Sequence, residues 1–256
     1  MPHEIKPTDS NVNAETRDSA WKGLYKLGGA AALIVAVLLP IEIIVFTAYP
    51  LPGTVIGYFT LFQSNRLMGL LDLYLLEVFT YVLFVPMFLA LYAALRRVNE
   101  SYMALATTLA IIGIAVFLAT NNPFSMLSLS DQYAAATTDA QRSQFLAAGQ
   151  ALLANTNQRA VGGFNMGFFL VSAAGLIVSA VMLRSNIFSK VTAYVGVLAN
   201  ALSLADYFRA AFVPAAALLL LFLAMASSLF LLIWYILIAR RLFQLGRLEQ
   251  KILQPA

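Results

Sequence analysis

Residues 67–95, LMGLLDLYLLEVFTYVLFVPMFLALYAAL, form an apolar run interrupted by two charges, Asp72 and Glu77. A helix rises about 1.5 Å per residue, so about 20 apolar residues cross the hydrocarbon core of a bilayer. A surface helix of a soluble protein would carry a polar face along its length. This run has none, so it reads as a membrane span and its two carboxylates as its costly residues.

Five more runs of the same kind follow from the same criterion: 27–49, 102–120, 161–183, 191–205 and 213–239. The fifth of the six in chain order is the shortest and ends just before Asp206. The chain is 61% hydrophobic and 11% charged, where a soluble domain is nearer a quarter charged. The predicted fold class is therefore all-α, a polytopic bundle of six transmembrane helices embedded in a lipid bilayer. The first run is too long for the apolar core of a signal peptide and follows a polar stretch, so it is expected to stay as a helix.

The net charge of +4 follows the membrane. With six spans, twelve Lys and Arg fall on the side of the two termini and four on the other. The positive-inside rule then places both termini in the cytoplasm, and the cytoplasmic (inner) membrane is the expected location. The basic tails need no nucleic acid to explain them.

Residues 1–20 are polar with mixed charge and read as a mobile tail, residues 21–243 as the transmembrane domain, and residues 244–256 as a basic tail. Trp21 and Tyr25, interleaved with Lys22 and Lys26, are interfacial anchors. The first outer loop, YPLPGTVIGYFTLFQSN, is apolar but broken by Pro50, Pro52, Gly53 and Gly57, and is expected to lie along the interface. In the long loop 121–160, Thr138 and Gln141 have capping-box spacing. Phe145, Leu146, Gly149, Leu152 and Leu153 then make one apolar stripe, so an amphipathic helix is expected on the outer mouth or the lipid surface. The fourth span opens GGFNMGFFLVSAAGLIVSA. Its Gly163 and Gly167, then Gly175 and Ser179, repeat the small-xxx-small spacing that lets helix backbones approach closely in lipid.

Glu42, Asp72 and Glu77 fall inside predicted spans, and Asp206 at the end of one. A charge at the membrane centre costs about 2.5–3.5 kcal/mol on translocon-derived scales. Neutralising a glutamic acid at pH 7 costs about 3.7 kcal/mol, so either state needs hydrogen-bonding partners. Counting from Leu67, Glu77 would lie about 15 Å deep, near the midplane, and Glu42 about 22 Å above the cytoplasmic start of the first span. With Asn65, Arg66, Asn121, Asn122, Asn165 and Arg209 at outer ends or in outer halves, these residues suggest an outward-facing vestibule with Glu77 at its floor. Glu77, Asp72, Glu42, Asp206, Asn165 and Asn121 are the candidate ion- or solute-binding residues. The alternative for Asp72 and Asp206 is pairing with Arg66 and Arg209 at the interface. For Glu42 it is satisfying the carbonyl that Pro40 frees.

The lone histidine, His3, lies in the polar tail and cysteine is absent. Bis-histidine haem, zinc-protease and Ser-His chemistry within the membrane are unsupported, as are a metal site and a cofactor. Neither a Walker A loop nor a dinucleotide fingerprint occurs. No catalytic residue is assigned, and an aspartate pair of Asp72 with Asp206 lacks a protease context.

Two stretches, RLMGLLDLYLLEVFTYVLFVPMFLALYAALRRVN and SNIFSKVTAYVGVLANALSLADYF, resemble the prokaryotic six-helix membrane family labelled domain of unknown function 4386, over about residues 21–240. The resemblance implies six helices and a prokaryotic source, and assigns no functional residue. The leading functional expectation is a transport or binding protein for a proton, cation or small solute. Its rivals are an accessory or assembly subunit, docking a membrane-complex partner or a second copy of itself, and an intramembrane enzyme.

Overall fold

The computed structural model describes residues 21–48, 52–155, 165–213 and 217–248. Ten helices occupy them: α1 (Lys22–Ala48), α2 (Val55–Ser64), α3 (Arg66–Asp72), α4 (Leu75–Leu95), α5 (Glu100–Thr120), α6 (Pro123–Ala135), α7 (Asp139–Asn155), α8 (Met166–Leu183), α9 (Lys190–Phe212) and α10 (Ala217–Leu248). Six segments, carried by α1, α4, α5, α8, α9 and α10, are long and apolar enough to cross a membrane. The protein is an integral membrane protein of six spans. The polar tail 1–20 lies outside the described residues. The last helix runs to Leu248, into the stretch read from sequence as tail.

The spans close into a ring. Going round it, α4 packs on α1, α1 on α10, α10 on α9, α9 on α8, α8 on α5, and α5 back on α4. Small residues permit the tightest of these contacts. A Cβ on Gly113 would sit 2.9 Å from the Gly167 carbonyl, and one on Gly167 would sit 2.9 Å from the Gly113 carbonyl, so α5 and α8 meet backbone to backbone. Gly163, the other half of the spacing that singled out Gly167, lies outside the described residues.

The remaining helices, α2, α3, α6 and α7, build a cap over one end of the ring, the outer end by the charge reading. Its small core is Val55, Tyr58, Phe59, Phe62, Leu73 and Met126. The capping box forms: Gln141 N–H donates to Thr138 Oγ1 at 3.2 Å and Thr138 N–H to Gln141 Oε1 at 3.3 Å. The loop between the third and fourth spans nevertheless holds two helices where one was expected. Asn122 caps the extra one by accepting from Phe124 N–H at 3.1 Å, and Pro123 stands at its start.

The largest departure from expectation lies in the opening stretch. It is two helices, α3 and α4, because Tyr74 takes a left-handed conformation, φ 66° and ψ 28°. Such a backbone costs a bulky residue about 1–3 kcal/mol unless packing imposes it. Packing does so here: Leu73 is buried in the cap core while Tyr74 is buried in the bundle core. The kink sends neighbouring side chains into two different cores and turns the chain from cap to membrane.

At the opposite end, Arg241 Nε donates to the Ile187 carbonyl and Lys190 Nζ to the Leu183 carbonyl. Arg96 lies 5.0 Å over the Trp21 ring, a cation–π contact at the interface.

Candidate functional site

Because the span begins at Leu75, Glu77 sits in the first turn of α4, about 3 Å along its axis. The sequence-based placement near the midplane is thereby corrected: the first eight residues of the 67–95 run belong to α3 and the kink. Glu77 is buried at the capped mouth of the ring. One turn deeper, Thr80 donates a hydrogen bond to Glu42 Oε1 at 3.1 Å, joining α4 to α1. Both residues are buried.

Tyr81 follows Thr80 and is the centre of an aromatic layer. Its ring stacks on Phe117 of α5 at 3.8 Å, Phe117 on Phe168 of α8 at 5.3 Å, and Phe168 on Tyr207 of α9 at 6.0 Å. Phe84 of α4 continues the layer to Tyr235 of α10 at 5.9 Å. Glu42, Glu77, Tyr207 and Tyr235 all lie within electrostatic reach of the Tyr81 hydroxyl. Ser172 of α8 lies beside the Tyr207 hydroxyl.

Beside this layer, Arg209 Nε donates to Asp206 Oδ1 at 2.9 Å, one turn apart on α9, with both side chains at most 8% exposed. The pairing alternative proposed for Asp206 is therefore present. Arg66 bridges to Asp131 of α6 at 3.0 Å, inside the cap. Asp72 ends α3, and its side chain lies outside the described residues.

Asn165 caps α8, accepting from Gly167 N–H at 2.8 Å and Phe168 N–H at 3.2 Å, so its carbonyl is held by the backbone. Asn121 ends α5 and donates to the Phe117 carbonyl at 3.0 Å; its Oδ1 is buried with no hydrogen-bond partner among the described residues. Asn121 lines a small, partly open cavity of about 10 Å³ with Leu73, Tyr74, Asn122, Pro123, Met126 and Leu152. That volume suits a single water. Neither it nor an open groove of about 420 Å³ on α6 is lined by Glu42 or Glu77.

Of the small residues marked on the fourth span, Gly175 lies against the Asn200 side chain of α9. Ser179 is buried and donates to the Gly175 carbonyl at 2.7 Å. Among the described residues no group of three His, Cys, Asp or Glu side chains is placed to hold a metal ion. Thr80, Phe117, Phe168 and Tyr207 join the site without having been singled out from sequence. Thr80 and Glu42 are 38 positions apart, and no local pattern links them.

The family model described as Domain of unknown function (DUF4386) matches residues 23–239. The chain belongs to this family. The match covers all six spans of the ring, from α1 to Ala239 in α10, and so includes the acid-bearing helices, the aromatic layer and the cap. No curated protein and no solved structure matches the chain. As the DUF4386 description names no activity, the chemistry has to be argued from the side chains themselves.

Proposed function

We propose that this DUF4386 protein is a transport or binding protein of the cytoplasmic membrane, taking a proton, cation or small solute at a polar site in the outer half of its ring. The observation that supports the reading is the convergence of buried Glu42 and Glu77 from neighbouring spans on the hydroxyl-bearing layer around Tyr81. Ionisable side chains within a membrane are expensive to keep and mark ion or proton pathways by default.

The test is electrical. Protein reconstituted on a solid-supported membrane is challenged with steps in pH, sodium, potassium and a panel of small solutes. The reading predicts a charge displacement for at least one of them, lost in Glu42→Gln and in Glu77→Gln. A wild type silent to every step, together with stoichiometric co-purification of one membrane partner, would transfer the assignment to an accessory subunit. The open groove on α6, lined by Phe124, Leu127 and Asp131 among others, is the surface that favours this second reading.

A further inference from the structure

The two buried acids with described partners differ in how their charge is met. Asp206 has a guanidinium at 2.9 Å. Glu42 has a threonine hydroxyl at 3.1 Å and no salt bridge among the described residues. The groups around it are the Thr80 hydroxyl and Tyr81 from α4 and Tyr235 from α10, with Glu77 and Tyr207 beyond Tyr81. None of these is basic. A carboxylate taken out of water without a cation is unfavourable unless it neutralises, and the commonest way to neutralise is to bind a proton.

Size points the same way. Next to Thr80, Tyr81 begins a stack of rings from α4, α5, α8 and α9 at centroid separations of 3.8 to 6.0 Å, so the space beside the Glu42–Thr80 bond is filled by side chains. A dehydrated cation needs several oxygen ligands at fixed distances, whereas a proton needs one oxygen and no volume.

We infer that Glu42 is a proton-binding site, that its proton is the species this protein takes up, and that Thr80 holds the carboxyl in place across the α1–α4 contact. This inference rests on the transport or binding reading above and narrows its occupant. The proton binds at a carboxylate oxygen of Glu42, converting the carboxylate to the neutral acid, and leaves by the reverse step. Thr80 donates to Oε1 in either state, so it is a positioning residue.

Infrared difference spectra of the full chain in nanodiscs test it, recorded between about pH 5 and about pH 9, where buried carboxyls titrate. The expected result is a carboxylic C=O band that appears as pH falls, is absent from Glu42→Gln and persists in Glu77→Gln. In Thr80→Val the band moves to higher frequency, because the carbonyl loses its donor; this second variant reports on the site while Glu42 stays in place. A band that survives in Glu42→Gln overturns the assignment to this residue. Should sodium or potassium at fixed pH abolish the band, with matching charge displacement, Glu42 is a cation site: the proton inference fails and the transport reading stands. If the Glu42 signal responds to neither pH nor salt and the electrical assay is silent, both fail.

Discussion

Two buried polar pairs lie in the capped half of the ring, and they are built on opposite principles. Asp206 and Arg209 sit one turn apart on a single helix and cancel each other's charge. Glu42 and Thr80 come from two helices and share only a hydrogen bond. The first pair meets its charge within one helix; the second fixes α1 against α4 and leaves a charge to be dealt with.

The comparison can be broken most forcefully at Arg209. Its replacement by methionine strands a buried Asp206, and a loss of about 3–5 kcal/mol is expected in reversible SDS unfolding in mixed micelles. Replacing both members with apolar residues of similar volume should recover most of that loss. A single variant as stable as wild type would show that Asp206 is not kept as an ion.

A purely steric control follows. At Gly196 of α9 an added Cβ would lie 2.3 Å from both Ser179 Oγ of α8 and Trp234 Nε1 of α10. Gly196→Ala is therefore expected to cost about 1–3 kcal/mol by overpacking, without touching any charge. An unchanged unfolding midpoint would mean that these three helices have room to separate.

Glu42→Gln sharpens the contrast with Arg209. The amide carbonyl still accepts from Thr80 and no cation is left behind, so the stability change should stay below about 1 kcal/mol. A loss as large as that at Arg209 would place an unrecognised cation at the site. The smallest effect belongs to the cap: Arg66→Ala removes an exposed bridge, its side chain 65% accessible, and should shift stability by about 0–1 kcal/mol, fading with added salt. A larger loss, insensitive to salt, would contradict that picture.

The difference in legibility between the two pairs follows from their geometry. Asp206 and Arg209 are three positions apart, one helical turn, so their pairing was readable as local spacing. Glu42 and Thr80 belong to different helices, and only helix packing brings them together. The same contrast runs through the fold. The capping box at Thr138 and Gln141 was visible because both partners lie in four consecutive residues. The kink at Tyr74 was hidden, since nothing in LLDLYLLEV disfavours a continuous helix; it exists because Leu73 and Tyr74 are drawn into separate cores. Glu77 was misplaced in depth for that reason alone.

By itself the sequence determined that this chain crosses a membrane six times, because about 20 apolar residues with satisfied backbones can only be helices in hydrocarbon. Charge asymmetry gave it an expected orientation. The tertiary structure decided the rest: the closed order of the ring, the cap helices α2, α3 and α6, and the meeting of Glu42 with Thr80 beside a layer of stacked rings. Hydrophobicity depends on each residue alone and sums along the chain, whereas the packing of one helix face on another depends on residues that the chain holds far apart.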